Sequence, residues 1–305
     1  MSVDPIGNIQ AKRLVILGAG YVGSTVAREA LARGHIVTAL TRNEEMARAL
    51  ETLGAKSVVA DLANDGWHEA IPLANWVVNC VSSGGRGSVG YQHSYVDGMR
   101  SVQRWLARIG KVDTLVYTSS TSVYPQADGV VTEASSTVPA TAKSGLLLKA
   151  EEMVLGLGEA GLARATTVLR LSGIYGPGRH HLLDHLRISR EPIAGLGEHR
   201  LNLIHRDDIV AAIFAALARS PEPDRGRTRE IFNVTDDVAA RKSDVVKWLA
   251  ETIGVPFPGF SGQPVPGRRA DPLDRVVSND KIKRGLGWRP LFPDFKAGYR
   301  QILGA

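Results

Sequence analysis

Short apolar segments alternate with amphipathic segments along the first half of the chain. Residues 14–17 are all apolar, as in a strand that is buried on both faces of a sheet. Apolar side chains then recur at helical spacing at Val22, Val26 and Ala30, and residues 36–40 form a second apolar run. This order predicts a strand, a helix and a parallel strand, which together make one βαβ unit.

The same alternation continues to about residue 172. It predicts helices near 44–53, 91–109 and within 140–161, and strands near 57–60, 75–81, 114–118 and 166–171. Strands that alternate with helices favour a parallel sheet that is covered on both faces. We therefore predict an α/β fold with a doubly wound parallel Rossmann sheet of about seven strands.

The regular pattern ends near Gly173, where glycines and prolines begin to interrupt the chain. This change predicts two parts with different tasks. They are an NAD(P)-binding Rossmann domain over 11–172 and 200–234, and a small mixed C-terminal substrate lobe over 173–199 and 235–305. Proline and glycine dominate residues 256–272, which predicts an extended segment that faces the substrate.

A glycine turn at residues 18–23 joins the first predicted strand to the first helix. Gly18 would allow a sharp turn, Gly20 a close approach of the backbone to a pyrophosphate, and Gly23 tight packing of the helix on the strand. Tyr21 and Val22 lie at the start of that helix, whose N-terminus faces the phosphates in such sites. The turn predicts a dinucleotide site, and the alternative is a tight turn that binds nothing.

The choice of cofactor depends on the residues after the second strand. A carboxylate there would bind the ribose hydroxyls of NAD, but the first acid after Leu40 is Glu44. Arg42 lies between them, and its guanidinium can pair with a 2′-phosphate. The sequence therefore favours NADP, with NAD as the alternative if Arg42 is only a solvated side chain.

Composition and charge exclude several classes of partner. The chain has 305 residues, 44% of them hydrophobic, and a net charge of +6 that favours anionic partners. The basic residues are dispersed and form no stripe with interleaved aromatics, so nucleic-acid binding is not expected. A small phosphate-bearing molecule explains the charge equally well. No apolar run is long enough to span a bilayer, so we expect no membrane partner.

Cys80 is the only cysteine, so no intramolecular disulfide can form and a reducing compartment is expected. The valines at 77, 78 and 81 predict that Cys80 is a core residue of a strand rather than a reactive thiol. Residues 1–10 show no pattern of a secretory signal. We therefore expect a cytoplasmic protein.

Several segments, taken in their order along the chain, resemble the extended branch of the short-chain dehydrogenase/reductase superfamily, the NAD-dependent epimerase/dehydratase-like proteins. They are the glycine turn, Asp61-Leu62, and residues 118–124, 169–178, 202–208, 231–234 and 277–290. The resemblance implies a nucleotide-binding sheet and a C-terminal lobe that holds the substrate, often a nucleotide-linked sugar. It is also the ground for expecting a homodimer.

In that family a Ser or Thr acts with a Tyr-x-x-x-Lys helix, in which the tyrosine moves the proton of the reacting hydroxyl. Ser120 falls on the serine position and Lys149 on the lysine position, but the tyrosine position is Gly145, which has no side chain. The Gly-x-Gly-x-x-Gly turn also departs from the usual Gly-x-x-Gly-x-x-Gly. Both departures resemble the atypical members, whose activities are heterogeneous.

Another group must then handle protons if the protein is an enzyme. Tyr124 and Tyr175 lie in segments that border the nicotinamide end in the family, and His180 follows the Gly-Pro-Gly break. Each of them could instead line a pocket. Ser120 is expected to form hydrogen bonds, and Lys149 either holds the ribose or lies on the surface.

The remaining candidates are implied by the resemblance or by charge. Asp61 resembles the family's adenine-contacting acid, with a helix cap as the alternative. The other implied cofactor contacts are Leu62, Cys80, Val81 and Ser119. Arg179 and Arg269, together with His180, would contact an anionic substrate. No metal is expected, because the His181 and His185 pair has no second ligand cluster.

The sequence therefore predicts an NAD(P)-dependent oxidoreductase or epimerase/dehydratase-like enzyme. Its substrate would be small and anionic, with a sugar derivative as the leading example. The alternative is a catalytically silent NADP-binding regulatory or scaffold protein. Gly145 favours the alternative, whereas the substrate-lobe segments favour the enzyme.

Overall fold

A computed structural model of the protein describes residues 11–83, 87–125, 129–139, 141–219, 228–263 and 274–304. The strands are β1 (Arg13–Leu17), β2 (Ile36–Thr41), β3 (Lys56–Val59), β4 (Trp76–Asn79), β5 (Val112–Ser120), β6 (Gly129–Val131), β7 (Ala163–Leu171), β8 (Gly173–Tyr175), β9 (Arg200–Leu201), β10 (Leu203–His205), β11 (Thr228–Val234), β12 (Ala240–Arg241) and β13 (Arg275–Val277).

The helices are α1 (Tyr21–Ala32), α2 (Glu44–Thr52), α3 (Gly87–Tyr91), α4 (Gly98–Ile109), α5 (Ala142–Glu159), α6 (His181–Ile188), α7 (Arg206–Ala218), α8 (Lys242–Thr252), α9 (Asp280–Leu286) and α10 (Phe295–Leu303). A π-helical turn, Gln92–Asp97, connects α3 to α4, and a 3₁₀ turn, Thr121–Val123, follows β5. Within the described parts of the chain, no helix is both long and apolar enough to cross a membrane.

Within the described residues, seven strands form the central sheet in the order β11, β7, β5, β4, β1, β2, β3. β1 pairs in parallel with β2 and β4, β2 with β3, and β4 with β5. The predicted α/β Rossmann sheet is therefore confirmed. Because β2 and β4 lie on opposite sides of β1, the carboxyl ends of β1 and β4 flank the switch point at which open α/β sheets bind ligands.

The chain divides into two compact units. The first contains Met1–Thr118, Lys149–Thr167 and Ser220–Glu230, and the second contains Ser119–Leu148, Val168–Arg219 and Ile231–Ala305. The first unit includes the switch point. The second has its own apolar core, to which α6, α8 and α10 contribute Leu183, Leu186, Val246, Leu249 and Phe295. The division into cofactor and substrate lobes stays a prediction.

The long helix predicted over 91–109 is instead two α-helices separated by the π-helical turn. Met99, Val102 and Leu106 of α4 are buried, as their spacing predicts. The turn at Gln92–Asp97 is wider than an α-helix, and apolar spacing gives no sign of it. One side chain of this turn, that of His93, reaches the candidate site.

Candidate nucleotide-binding site

The glycine turn between β1 and α1 is tightly packed at its two outer glycines, Gly18 and Gly23, and open at the middle one, Gly20. Gly18 has a φ of +88°, and a Cβ there would lie 2.7 Å from the amide nitrogen of Val81. A Cβ on Gly23 would collide with the carbonyl oxygen of Gly18. Gly20 is different, because a Cβ there would meet no atom of the described residues within 4 Å. The backbone at Gly20 is therefore open to a ligand.

Backbone hydrogen bonds fix this turn against β2. The amides of Gly18 and Ala19 both donate to the carbonyl oxygen of Leu40, each at 2.9 Å. Gly20 is the N-cap of α1, which has no side-chain cap and no acidic residue in its first turn. The partial positive charge of this helix N-terminus is therefore not offset by an acid of that turn, which favours the binding of an anion.

The residues after β4 lie along the glycine turn. The amide of Cys80 donates to the carbonyl oxygen of Leu17 at 2.8 Å, and the amide of Val81 donates to Asn79 Oδ1 at 3.1 Å. Cys80 thus lies just beyond β4 and not within the strand predicted over 75–81. Burial raises the pKa of its thiol to about 12, against a small opposing effect of Thr118. The thiol is therefore protonated at neutral pH and unreactive.

Three polar side chains from different elements meet beyond β2 and β3. Arg42 directly follows β2, Asp61 follows β3, and His93 lies on the π-helical turn. Asp61 Oδ2 is 3.1 Å from His93 Nε2 and 3.7 Å from Arg42 Nη1. Asp61 Oδ1 accepts a hydrogen bond from the amide of Ala63 at 2.9 Å. We call Arg42, Asp61 and His93 the Asp61 cluster.

Partial burial by itself would raise the pKa of Asp61, but the Ala63 amide, His93 and Arg42 together hold it below the usual value. Asp61 is therefore a carboxylate at neutral pH. Its side chain closes a turn through Ala63 and caps no helix of the described chain. His93 was not found from the sequence, because its approach to Asp61 depends on the π-helical turn.

Leu62 and the connection that follows it are packed against α4. The side chain of Leu62 is buried, and its Cδ2 lies 3.2 Å from where a Cβ on Gly98 would be. Trp67 Nε1 donates to the Leu62 carbonyl oxygen at 3.2 Å, and the Trp67 and Trp105 rings lie 5.2 Å apart. The implied cofactor contact at Leu62 stays a prediction, and in this structure its side chain serves packing.

The model of the NAD dependent epimerase/dehydratase family matches residues 14–235. The chain belongs to this family. It is 26% identical over 289 residues to protein YeeZ of Escherichia coli K12, covering 93% of this chain and 97% of that protein. It is also 26% identical over 319 residues to UDP-glucose 4-epimerase of Corynebacterium glutamicum, covering 93% and 92% of the two chains.

Among solved structures, the epimerase/dehydratase chain is similar to MoeE5 in complex with UDP-glucose and NAD. The two agree with a TM-score of 0.81 and 23% identity, over 96% of this chain and 98% of MoeE5. At this identity the likeness establishes the fold alone. The shared fold agrees with the sheet order and with the family match.

In the second unit, the hydroxyl of Tyr124 is buried and already bonded. It donates to Asn233 Oδ1 at 2.7 Å and accepts from Arg170 Nη1 at 2.9 Å. The Arg170 guanidinium also lies 4.9 Å from the centre of the Tyr124 ring. Burial raises the pKa of Tyr124 even though Arg170 opposes this. These contacts do not support the predicted proton transfer by Tyr124, because its hydroxyl is committed to the protein.

Tyr175 is likewise a packing residue in this structure. Its ring stacks on Tyr299 with a centroid distance of 5.1 Å, and a Cβ on Gly298 would collide with its hydroxyl oxygen. The hydroxyl lies 3.5 Å from the carbonyl oxygen of Asp294. Burial raises the pKa of Tyr175 far above its usual value. The predicted acid-base role of Tyr175 is therefore not supported either.

Asp208 fastens the segment near 288–292 to the start of α7. Its carboxylate accepts hydrogen bonds from the amides of Leu291 at 2.6 Å and Phe292 at 3.2 Å, and its carbonyl oxygen accepts one from Trp288 Nε1 at 3.2 Å. Burial raises the pKa of Asp208 to about 6 against these amides. Two segments that resemble the family, 202–208 and 277–290, thus meet in the second unit, where Trp288 bonds to Asp208.

His180 differs from both tyrosines because it is paired with a carboxylate. Its Nδ1 lies 2.8 Å from Asp184 Oδ1, one helical turn further along α6, and 14% of its side chain is exposed. Nδ1 is nevertheless without a partner at hydrogen-bonding geometry among the described residues, so the carboxylate is near the ring but does not fix its orientation. The predicted roles of His180 stay predictions.

Ser120 and Lys149 occupy different surroundings. Ser120 Oγ accepts a hydrogen bond from the amide of Ser122 at 3.1 Å and so caps the 3₁₀ turn. Lys149 is exposed on α5. Gly145 lies in the first turn of α5, where, among the described residues, a Cβ would come within 4 Å of Pro139 alone, at 3.6 Å. The backbone there leaves room for a side chain, and the match of Gly145 to the family tyrosine stays a prediction.

The remaining predicted contacts lie in varied surroundings. Ser119 is buried, and Arg179 is exposed next to Gly176, with which it exchanges two backbone hydrogen bonds. Arg269 lies outside the described residues. Among the described residues, no three or more His, Cys, Asp or Glu side chains form a group that could hold a metal ion. His185 instead faces the carbonyl oxygen of Glu191 at 2.9 Å.

Proposed function

We propose that this chain is an NAD(P)-dependent epimerase/dehydratase-like enzyme or oxidoreductase that acts on a nucleotide-linked sugar or a similar small anionic sugar derivative. The observation that carries the proposal is the open backbone at Gly20 between two glycines that admit no side chain. An unobstructed turn at an uncapped helix N-terminus is the shape that a pyrophosphate requires. Family membership and the names of the relatives support the substrate class.

NADP is the proposed cofactor, with NAD as the alternative. The glycine turn would hold the pyrophosphate, and the Arg42 guanidinium would pair with a 2′-phosphate. The structure of MoeE5 contains NAD, so NAD is kept as the alternative cofactor. When bound, the nicotinamide supplies hydride transfer. The protein supplies binding and orientation, including hydrogen bonding by Ser120.

We assign the proton-transfer role to His180 in place of the absent family tyrosine. Its imidazole is a group that can accept or donate a proton, and the Asp184 carboxylate lies 2.8 Å from Nδ1. His180→Gln should lower turnover by about a hundredfold or more. The affinity for the dinucleotide should stay unchanged, because the substitution leaves the glycine turn intact. Full turnover in this variant would remove His180 from the role.

The binding part of the proposal is tested by calorimetric titration with NADPH, NADP, NADH and NAD in parallel. The proposal expects saturable binding with one-to-one stoichiometry and tighter binding of the NADP pair. Tighter binding of the NAD pair would overturn the assignment of Arg42. If none of the four nucleotides binds, the proposed function fails and the fold assignment remains.

The alternative is an NADP-binding regulatory or scaffold protein without turnover. It is favoured by Gly145, which has no side chain, and by the Tyr124 hydroxyl, which is bonded to Asn233 and Arg170. Incubation with NADP and a panel of UDP- and dTDP-sugars separates the two functions, with nicotinamide absorbance and sugar products as readouts. Conversion of a sugar supports the enzyme. Nucleotide binding without conversion across the panel supports the alternative.

A further inference from the structure

Within the Asp61 cluster, His93 is a second polar side chain, besides Arg42, at the place where the adenosine of a bound dinucleotide would lie. The role inferred for it below rests on the proposed dinucleotide binding. Because the amides of Gly18 and Ala19 donate to the carbonyl oxygen of Leu40, the glycine turn lies next to the last residues of β2, and Leu40 is two residues before Arg42. A dinucleotide whose pyrophosphate lies at the turn would therefore have its adenosine ribose near Arg42. His93 reaches the same place from the π-helical turn.

The distances show which partner holds Asp61. His93 Nε2 is within hydrogen-bonding distance of Oδ2 at 3.1 Å, whereas Arg42 Nη1 is 3.7 Å from the same oxygen, beyond that distance. Oδ1 is already bonded to the Ala63 amide. His93 thus occupies the carboxylate oxygen to which the Arg42 guanidinium would otherwise bond.

Arg42 and His93 are also reachable by a ligand, because 52% of the Arg42 side chain and 47% of the His93 side chain are exposed. Asp61 is less exposed, at 27%. A phosphate arriving from solvent would meet the two donors before the carboxylate. An Arg42 guanidinium that is not locked to a carboxylate can offer paired donors to that phosphate.

We propose that His93 is a specificity-determining residue that keeps Arg42 available for the 2′-phosphate of NADP. Without the imidazole, Arg42 closes onto Asp61, and their ion pair, now at 3.7 Å, tightens into a direct hydrogen bond. That pair competes with the 2′-phosphate and leaves the rest of the dinucleotide site unchanged. The π-helical turn places the imidazole there, in agreement with the frequent occurrence of π turns at functional sites.

The experiment measures the ratio of the NADP and NAD dissociation constants for the purified full chain and its variants. His93→Ala should weaken NADP by about tenfold and leave NAD nearly unchanged, because one charge-assisted hydrogen bond to the phosphate is lost. Adding Asp61→Asn to His93→Ala should restore the ratio, since the competing carboxylate is gone. His93→Gln, which can still donate to Asp61, should keep most of the preference.

Gln92→Ala is the matched control, because Gln92 lies on the same π-helical turn and donates to Asp97 instead, at 2.9 Å. It should leave the ratio unchanged. The inference is overturned if His93→Ala leaves the ratio as it is, or weakens both nucleotides equally. Absence of any binding to the wild-type protein is a separate outcome, and it rejects the proposed function together with this inference.

Discussion

Single residues decide how the glycine turn can be used. Gly18 and Gly23 are required by the fold, because one has a positive φ and a Cβ on the other would collide with the backbone. Gly20 is not required in this way, so packing does not explain its lack of a side chain, and the proposed function explains it by a bound dinucleotide. The same motif thus contains residues that can be tested for stability and a residue that can be tested for binding.

Gly23→Ala should lower the free energy of unfolding by about 1–3 kcal/mol, because its new methyl group must push the turn away from the helix. Urea denaturation measures the effect. Gly66→Ala is the control, because Gly66 is exposed, has no positive φ, and has no atom within 4 Å of its Cβ position. Equal effects of the two substitutions would contradict the packing argument.

Asp236 is a buried carboxyl whose ionisation opposes folding. It is 4% exposed. Burial raises its pKa to about 9 against the opposing effect of the Val238 backbone amide, and the nearby carboxylates of Asp237, Asp294 and Asp208 add to the effect of burial. The folded protein therefore keeps this proton up to about pH 9, whereas the unfolded chain releases it near the ordinary value of 3.8.

The contribution of Asp236 to the free energy of unfolding is thus complete at pH values below its pKa in the unfolded chain. It decreases as the pH rises toward the pKa in the folded protein, by at most about 1.4 kcal/mol per pH unit. Asp236→Asn should gain stability relative to the wild-type protein between about pH 5 and pH 9, on the order of 1 kcal/mol or more. Chemical denaturation at several pH values measures the difference. A stability difference that does not change with pH would contradict a neutral Asp236.

At the scale of elements, side-chain networks join segments that are distant in sequence. Tyr124 connects the turn after β5 to Arg170 of β7 and to Asn233 of β11. The backbone amide of Asn233 also donates a hydrogen bond to Glu133 Oε1 at 2.7 Å. Removal of one hydroxyl from such a buried network leaves its partners without a bond, which costs more than the bond itself.

Tyr124→Phe should therefore destabilise the protein by about 1–3 kcal/mol, whereas Tyr175→Phe should cost less than about 1 kcal/mol, because among the described residues the Tyr175 hydroxyl has one long hydrogen bond, at 3.5 Å. Thermal denaturation and a turnover assay check the pair together. If Tyr124→Phe keeps full stability but loses turnover, the tyrosine acts in catalysis and the assignment to packing is wrong.

Elements differ in how well their sequence predicts them. The strands of the sheet are predictable where parallel strands buried on both faces leave uninterrupted apolar runs, as at residues 14–17 of β1. The π-helical turn is not, since its hydrogen bonding leaves no trace in the spacing of Ser94 and Val96, which are buried. His93 is missed for this reason.

At the scale of the whole molecule, the fold class follows from sequence pattern, and the surroundings of single side chains do not. The glycine turn is local, so the six residues 18–23 suggest its geometry. The burial of Tyr124 and Tyr175 depends on residues more than a hundred positions away, such as Asn233 and Asp294. Short motifs contain no information about such distant contacts. The acid-base roles predicted for Tyr124 and Tyr175 therefore did not take these contacts into account.

The net charge of +6 agrees with a protein that binds anionic nucleotides, but charge alone selects no site. The proposed function requires that a dinucleotide is held at Gly20. NADPH titration of the wild-type protein, Gly20→Val and Gly66→Val tests this most directly. Valine fits at both positions without a clash at Cβ, so both variants should fold as the wild type does.

Gly20→Val should abolish NADPH binding while its unfolding transition stays close to that of the wild type, and Gly66→Val should bind normally. The valine side chain at position 20 would occupy the space that the pyrophosphate needs. Binding of NADPH by Gly20→Val with the wild-type affinity would contradict the assignment of the glycine turn, because the nucleotide would then lie elsewhere.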